Sequence, residues 1–285
     1  MAGITVKPTI ANREFTYDAS AIDQADGTDV LQWDDQSGNS NHATGVGSVG
    51  KPVLETTGFN SLACVRLEAD NRHFTYDGSP FVAANLTWFM VIEATDISSH
   101  LAVIGSSSSS TPPRRSEVFI KSDGTIIAGF QNDPYDLESS AGEISTGDKL
   151  VITFRHSGTT GKVLRVNGVE KDANAGSTSP LIDYTNATLG RVKDDTTGGV
   201  GTIYGADRRF AWLEGYSTAA TDALIADMEC YLGTRFKISV DTCPPPDVIR
   251  ANLQIETTVT IELELPQTVE MRLQLEQTIT EDVDA

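Results

Sequence analysis

The feature that most restricts the fold is a series of short apolar runs that end in turn residues. They lie at 86–94 (LTWFMVIEA), 116–130 (SEVFIKSDGTIIAGF), 149–157 (KLVITFRHS) and 162–171 (KVLRVNGVEK). Runs of this length with period-2 alternation are typical of β-strands. Two of them contain Asp-Gly or Asn-Gly, dipeptides that favour the positive φ angles of tight hairpins. Because hardly any helix separates these strands, they predict an all-β protein with an antiparallel sandwich or barrel.

One segment, 221–236 (TDALIADMECYLGTRF), has the pattern of a helix. Thr221 is a suitable N-cap, and Gly233 is a candidate for the residue that stops the helix. The apolar residues that share one face at a spacing of 3.6 are Leu224, Ile225, Met228, Tyr231 and Leu232. We therefore expect one C-terminal helix that lies across an edge or a face of the sandwich.

A proline-rich segment divides the chain. DTCPPPD, residues 241–247, contains three consecutive prolines, which block helix and favour extended polyproline geometry. The sequence thus predicts a sandwich over residues 1–240, a stiff linker over 241–247 and a separate segment over 248–285.

The segment 248–285 is built from ten-residue repeats: IRANLQIETT, VTIELELPQT and VEMRLQLEQT. Since ten is even, an extended chain keeps its apolar residues on one side throughout. The residues that we expect to bury this side are Leu253, Ile255, Ile261, Leu263, Leu265, Leu273 and Leu275. A single exposed strand leaves its apolar side and its backbone unsatisfied.

Two arrangements would satisfy this extended β-repeat arm. It could fold back as a three-strand meander, although its repeat ends TT, PQT and EQT contain no glycine for tight turns. It could instead wrap with the arms of other copies or lie along a neighbouring protein. We favour the intermolecular role, oligomerisation or docking, and a homo-oligomer, with a trimer as the favoured state.

Charge and cysteine content limit the partners and the compartment. A formal net charge of −19 argues against binding to nucleic acid or to an anionic membrane. The start has no secretory signal pattern, and no run of apolar residues is long enough for a membrane span. Of the three cysteines, Cys230 and Cys243 could pair, but free buried thiols, in a protein folded in a cytoplasm, are the favoured interpretation.

Residues 31–44 (LQWDDQSGNSNHAT) concentrate polar side chains behind Trp33. Asp, Ser and Asn side chains commonly bond the backbone two residues on, so the favoured interpretation is a corner of the sandwich. The alternative is a calcium site, for which Asp34, Asp35 and Asn39 could each supply oxygen ligands. No other cofactor is expected.

A second polar stretch, 105–115 (GSSSSSTPPRR), ends in Arg114 and Arg115. The first interpretation is a surface connection between strands. The alternative is a recognition loop in which the two arginines meet an acidic partner or a neighbouring subunit.

Five segments, in order, resemble the concanavalin A-like lectin/glucanase sandwich in its laminin-G-like form. They are 15–22 (FTYDASAI), 26–44 (DGTDVLQWDDQSGNSNHAT), 61–74 (SLACVRLEADNRHF), 86–96 (LTWFMVIEATD) and 208–236 (RRFAWLEGYSTAATDALIADMECYLGTRF). The resemblance implies an antiparallel two-sheet jelly roll with a terminal helix, and it implies that Trp33 is a core tryptophan.

Domains of this kind recur in bacteriophage virion proteins, so the resemblance implies a role in a virion. The leading hypothesis is a non-enzymatic virion structural protein, a fibre component or a capsid-decorating protein, assembled in the host cytoplasm and bound to other virion proteins. The alternative is a carbohydrate-binding tail fibre adhesin that contacts host glycans. A glycoside hydrolase is disfavoured, because the E-x-D-x-x-E pattern of the glucanase branch is missing from the sequence and hydrolysis needs a placed pair of acids.

Overall fold

The computed structural model describes residues 4–47, 50–68, 72–76, 85–107, 115–131, 137–175, 186–191 and 207–243. These residues form two antiparallel sheets, one α-helix and a short 3-10 helix at Ala19–Ala21. The predicted all-β sandwich with a C-terminal helix is confirmed.

Sheet A contains eight strands. They are β1 (Arg13–Asp18), β4 (Val53–Phe59), β5 (Leu62–Leu67), β7 (Asn85–Glu93), β12 (Lys149–Ser157), β13 (Gly161–Val166), β14 (Val169–Asn174) and β16 (Arg208–Tyr216). The order across the sheet is β14-β13-β12-β7-β16-β5-β4, and β1 also pairs with β16. The β13–β14 turn has positive φ at both Asn167 and Gly168, as its Asn-Gly sequence predicts.

Sheet B also contains eight strands. They are β2 (Gln32–Trp33), β3 (Ala43–Val46), β6 (His73–Tyr76), β8 (Leu101–Ser107), β9 (Arg115–Ile120), β10 (Ile126–Gln131), β11 (Leu137–Glu138) and β15 (Asn186–Leu189). The order is β11-β10-β9-β8-β15-β6-β3-β2, so the late strand β15 inserts between two early ones. Strands distant in the sequence thus become neighbours in this sheet.

The main core lies between the two sheets. Trp33 is buried there, 5.6 Å from both Tyr17 and Phe74 between ring centroids. Trp88 of β7 packs against Phe154 of β12 at the same distance. The prediction that Trp33 is a core residue therefore agrees with its position in this core.

The outer face of sheet A is covered by the helix α1 (Asp222–Phe236). Phe89 and Val91 point outward from β7 and share a second apolar cluster with Met228 and Leu232 of the helix. Because both faces of β7 are buried, its sequence is a continuous apolar run rather than an alternating one. The N-cap is Thr221, whose side chain accepts a hydrogen bond from the Leu224 N–H at 3.3 Å.

The helix ends at Phe236, the last residue of the segment with the helix pattern, three residues beyond the candidate stop Gly233. Gly233 does not stop it; the C-cap is Lys237, which adopts a left-handed conformation with a φ of 56°. Gly233 is instead a packing position, since a Cβ there would lie 2.6 Å from Val240 Cγ2. The glycine lets the returning segment 238–243, called the strap below, lie close to the helix.

The strap also corrects the prediction of free thiols. Cys230 on α1 and Cys243 at the end of the strap form a disulfide, with their Cα atoms 4.8 Å apart. The sequence could not show this pairing, because it depends on the chain turning back at Lys237. Cys64 is a free, buried thiol, and burial together with Glu55 raises its pKa to about 12.

The chain divides into two units, Met1–Val248 and Ile249–Ala285. The prolines of the linker and the whole arm lie outside the described residues, so the predicted arm remains a prediction. Within the described ranges, no helix is both long and apolar enough to cross a membrane.

Candidate functional site

A row of polar side chains crosses the outer face of sheet B. Gln32 of β2 is paired with Thr44 of β3, Thr44 with Thr75 of β6, and Thr75 with Thr188 of β15. Successive residues of a strand point to opposite faces, and the neighbours Trp33, Phe74 and Leu189 lie in the core. The four side chains, called the threonine row below, therefore face away from the core. With strands about 4.8 Å apart, the row spans roughly 14 Å.

The threonine row is accessible. Gln32 and Thr44 are exposed, and Thr75 and Thr188 are half-buried. The Thr188 hydroxyl is used internally, since it donates to the carbonyl oxygens of Gly105 and Arg191. Neither the Thr44 hydroxyl nor the Thr75 hydroxyl has a partner in the part of the chain that the structure describes. Each can both donate and accept a hydrogen bond from a ligand.

A cationic side chain stands beside the row. Arg191 follows β15 directly, and its Nη1 lies 3.5 Å from Nε2 of His73, a residue of β6 on the same outer face. Val46 of β3 is paired with His73, so this group lies two residues along the strands from Thr44 and Thr75. A guanidinium group thus flanks the row at Thr75.

Beyond β15, at β8, β9 and β10, the row is bounded by an apolar cluster. Ala102, Phe119 and Ile127 pair across β8, β9 and β10 and are buried on the outer side of sheet B. The ring of His100 stacks on Phe119 with centroids 6.1 Å apart. Among the described residues, the open polar surface is therefore formed by β2, β3, β6 and β15.

The corner at 34–42 is organised by the carboxylate of Asp35. Oδ1 accepts from the N–H groups of Thr16 and Ser37, both at 2.8 Å. Oδ2 accepts from the Ser37 hydroxyl at 2.6 Å and from the Asn41 N–H at 3.0 Å. Burial acts to raise the pKa of Asp35, but the hydrogen bonds from Ser37, Thr16 and Asn41 outweigh it and lower the pKa. The carboxylate joins β1 to the corner.

The other residues of the predicted calcium site also have internal contacts. Asp34 accepts from the Gln32 amide at 2.6 Å, and Asn39 donates to the carbonyl oxygens of Arg13 and Glu14. A cation would have to displace the four donors that occupy the Asp35 oxygens. Among the described residues, no group of three or more His, Cys, Asp or Glu side chains could hold a metal ion. Calcium at Asp34, Asp35 and Asn39 remains a prediction.

The remaining predicted sites lie mostly outside the described residues. Arg114 does so, and so do the arm residues from Leu253 to Leu275. Arg115 begins β9, where it is paired with Ser107 and Gln131. The structure therefore does not bring the two arginines together as a described site.

The sequence did not point to an ionic cluster on the outer face of sheet A. Glu214 of β16 is buried and accepts from Lys7 and from the Thr16 hydroxyl at 2.9 Å. Burial, and then the Glu214 carboxylate, raise the pKa of Tyr216. Lys7 also lies 5.0 Å from the ring centroid of Trp212. This cluster attaches the N-terminal segment to the sheet, and we interpret it as structural.

No protein-family model matches the chain, and no curated protein matches its sequence. Solved structures do match. Trypanosoma rangeli sialidase in complex with sialic acid has a TM-score of 0.56 and 10% identity, over 80% of this chain and 34% of the sialidase. The binding domain of botulinum neurotoxin DC in complex with rat synaptotagmin II has a TM-score of 0.51 and 10% identity, over 79% of this chain and 51% of that chain. A botulinum neurotoxin type C structure concerned with two ganglioside molecules has a TM-score of 0.50 and 9% identity, over 75% of this chain and 50% of that chain.

At these identities the similarity shows the fold alone, and the chain spans about a third of the sialidase and half of the toxin chains. The all-β sandwich that the resemblance implies is confirmed. The prediction that the protein is not an enzyme is wrong, because proteins that share this sandwich include sialidases, which are enzymes.

Proposed function

We propose that this protein binds carbohydrate, and that the ligand lies along the threonine row on the outer face of sheet B. The observation that carries the proposal is the contrast between the two sheets. The outer face of sheet A is covered by α1, whereas Gln32 and Thr44 are exposed on sheet B. The open part of sheet B, at β2, β3, β6 and β15, also carries hydrogen-bonding groups at regular spacing.

The chemistry of the row suits a saccharide. Sugar hydroxyls both donate and accept, as do the hydroxyls of Thr44 and Thr75. The Gln32 amide adds an acceptor oxygen beside its Nε2, which already donates to Asp34. Since the groups lie on rigid, paired strands, little ordering free energy is lost when a ligand binds.

The similar structures support the proposal without testing it. The sialidase is bound to sialic acid, and the type C neurotoxin depends on ganglioside molecules for cell entry. Both ligands contain sugar.

The test is a screen of the full chain on an array of immobilised glycans, followed by affinity measurements on each glycan that is retained. Thr75→Val removes one hydroxyl while it keeps the β-branched shape, and we expect it to weaken binding about threefold to tenfold, the worth of one hydrogen bond. The matched control is Thr57→Val, an exposed threonine on β4 of the other sheet, which should leave the affinity unchanged. If no glycan is retained, or if Thr75→Val binds as tightly as the wild type, the proposal is wrong.

The ten-residue repeats favour a role for the carbohydrate-binding sandwich within a larger assembly. We propose that residues 248–285 form an assembly arm, joined by the linker 241–247, which gathers several sandwiches or docks them on a neighbour. A carbohydrate-binding module on such an arm fits a bacteriophage tail fibre adhesin. A fibre or capsid-decorating role without glycan binding is the second candidate, and the same repeats are the feature that favours it.

A further inference from the structure

We propose that the saccharide bound on the threonine row is acidic, and that Arg191 binds its carboxylate or sulfate group. This inference rests on the proposed function, because it concerns the ligand of the same face. Beyond the proposed function, it names the chemical class of the ligand and the side chain that selects it.

The described arginines differ in their ion pairs. In the described part of the chain, a carboxylate lies within 4 Å of the guanidinium groups of Arg13, Arg66, Arg72, Arg155, Arg165, Arg209 and Arg235. Arg191 differs: its side chain contacts His73, and no carboxylate of the described residues pairs with it. In a chain of net charge −19, carboxylates are abundant. An unpaired, half-buried guanidinium beside an open polar surface is therefore suited to an anion from outside the chain.

The backbone before Arg191 is held firmly. Gly190 has a φ of +84°, and its N–H donates to the Val103 carbonyl at 2.9 Å. The Gly190 carbonyl accepts from Arg208, which is buried. A Cβ at position 190 would lie 2.3 Å from Leu67 Cδ2, so a larger residue would have to displace the buried Leu67 side chain. Because the turn is fixed from three sides, Arg191 leaves the sheet in one direction.

Arg72, Arg191 and Arg208 carry positive charge around this turn. Burial lowers the pKa of Arg208 to about 9, so this guanidinium still carries its charge at neutral pH. Arg72 is close by, but its charge is offset by Glu68 at 2.8 Å. Arg208 points into the sandwich and lies beside Asp207, whereas the Arg191 guanidinium lies beside His73 on the outer face that carries the row. A planar guanidinium binds a carboxylate or a sulfate through two parallel N–H groups, which gives selectivity at short range.

The short range matters because the whole chain repels anions. Exposed charges separated by more than about 8–10 Å are largely screened at physiological salt. Selection of an acidic ligand must therefore come from a direct contact, and Arg191 is the group placed to make it. The neutral part of the saccharide would lie over Thr75 and Thr44.

The experiment compares matched pairs of glycans on an array: sialylated, uronic-acid-containing and sulfated glycans, each beside its uncharged parent. The full chain is tested as wild type, Arg191→Gln, Arg191→Lys and Lys237→Gln. Lys237 is an exposed cation at the C-cap of α1, so its substitution makes the same change of charge on the other side of the sandwich. Equal thermal midpoints establish that each variant is folded.

We expect the wild type and Lys237→Gln to bind acidic glycans at least tenfold more tightly than their neutral parents. Arg191→Gln should lose this preference and keep its affinity for the parents, and Arg191→Lys should retain part of the preference. Whether sialylated or sulfated members are retained identifies the source of the negative charge. If neutral parents bind as well as acidic glycans, or if Arg191→Gln keeps the preference, the inference is overturned and carbohydrate binding stands. If no glycan of either kind is retained, the proposed function itself is wrong.

Discussion

Asp35 is the residue on which the corner at 34–42 depends. Its two carboxylate oxygens accept four hydrogen bonds, from Thr16, Ser37 and Asn41, and only 8% of the residue is exposed. An asparagine offers one acceptor oxygen and turns an NH₂ group toward donors. We therefore expect Asp35→Asn to lower the free energy of unfolding by about 1–3 kcal/mol at pH 7, as for a buried donor left unsatisfied. Denaturation in urea measures the difference.

The pH dependence of this difference has a definite sign. Since folding lowers the pKa of Asp35, the carboxylate stabilises the protein above the ordinary aspartate pKa of about 3.9, and this stabilisation is lost as the pH falls through the lowered value. The gap between wild type and Asp35→Asn should thus narrow below about pH 4. Asp34→Asn is the control, because the Asp34 side chain is 64% exposed and should change stability by less than about 0.5 kcal/mol.

The same proteins test calcium: a rise in thermal midpoint with CaCl₂, absent in both variants, would support the predicted site.

Single residues also show where prediction from sequence ends. The corner role of Asp35 could be predicted, because Asx bonds are local. The threonine row could not, since Thr44, Thr75 and Thr188 become neighbours only through a strand order in which β15 inserts beside β6. Arg191 follows a short strand and belongs to no motif. Its importance depends on contacts with His73 and Gly190 that no spacing reveals.

At the scale of elements, the strap 238–243 joins the helix to the β13–β14 hairpin. The Asp241 N–H donates to the Asn167 carbonyl at 3.0 Å, and Thr242 donates to Glu229 of α1 at 3.2 Å. The disulfide between Cys230 and Cys243 closes this arrangement. The strands, the N-cap and the Asn-Gly turn could be predicted from local patterns. The continuation of the helix past Gly233 and the disulfide could not, because both depend on the strap packing against Gly233.

The disulfide has a measurable effect on stability. For a closed loop of this size, loop entropy gives a stabilisation of about 3 kcal/mol. We expect the double variant Cys230→Ala/Cys243→Ala to unfold with a free energy lower by about 2–4 kcal/mol. A phosphine reductant should bring the wild type to the level of the variant and leave the variant unchanged. If the unfolding midpoint of the wild type does not change when the reductant is added, the disulfide does not stabilise the protein.

For the whole molecule, the open question is how many sandwiches act together. In an extended arm, Leu263 and Leu265 lie on the apolar side, while Glu262 and Glu264 lie on the opposite side. If the arms assemble, burying several Leu and Ile side chains contributes about 10 kcal/mol before entropy is subtracted. We expect light scattering to give a trimer for the full chain and a monomer for residues 1–243, which keep the strap and its disulfide.

Two double variants test whether the apolar side of the arm, rather than its charge, holds the oligomer together. Leu263→Lys/Leu265→Lys should give monomers, whereas Glu262→Lys/Glu264→Lys makes a larger change of charge on the other side and should leave the trimer intact. On a glycan-coated surface, linked sandwiches rebind locally, so the trimer should dissociate at least a hundredfold more slowly than the monomer with the same single-site affinity. If residues 1–243 form the same oligomer as the full chain, the sandwich itself assembles and the arm has another role. If both are monomers, the arm docks on a different protein, and the repeats are then a tether to a larger particle.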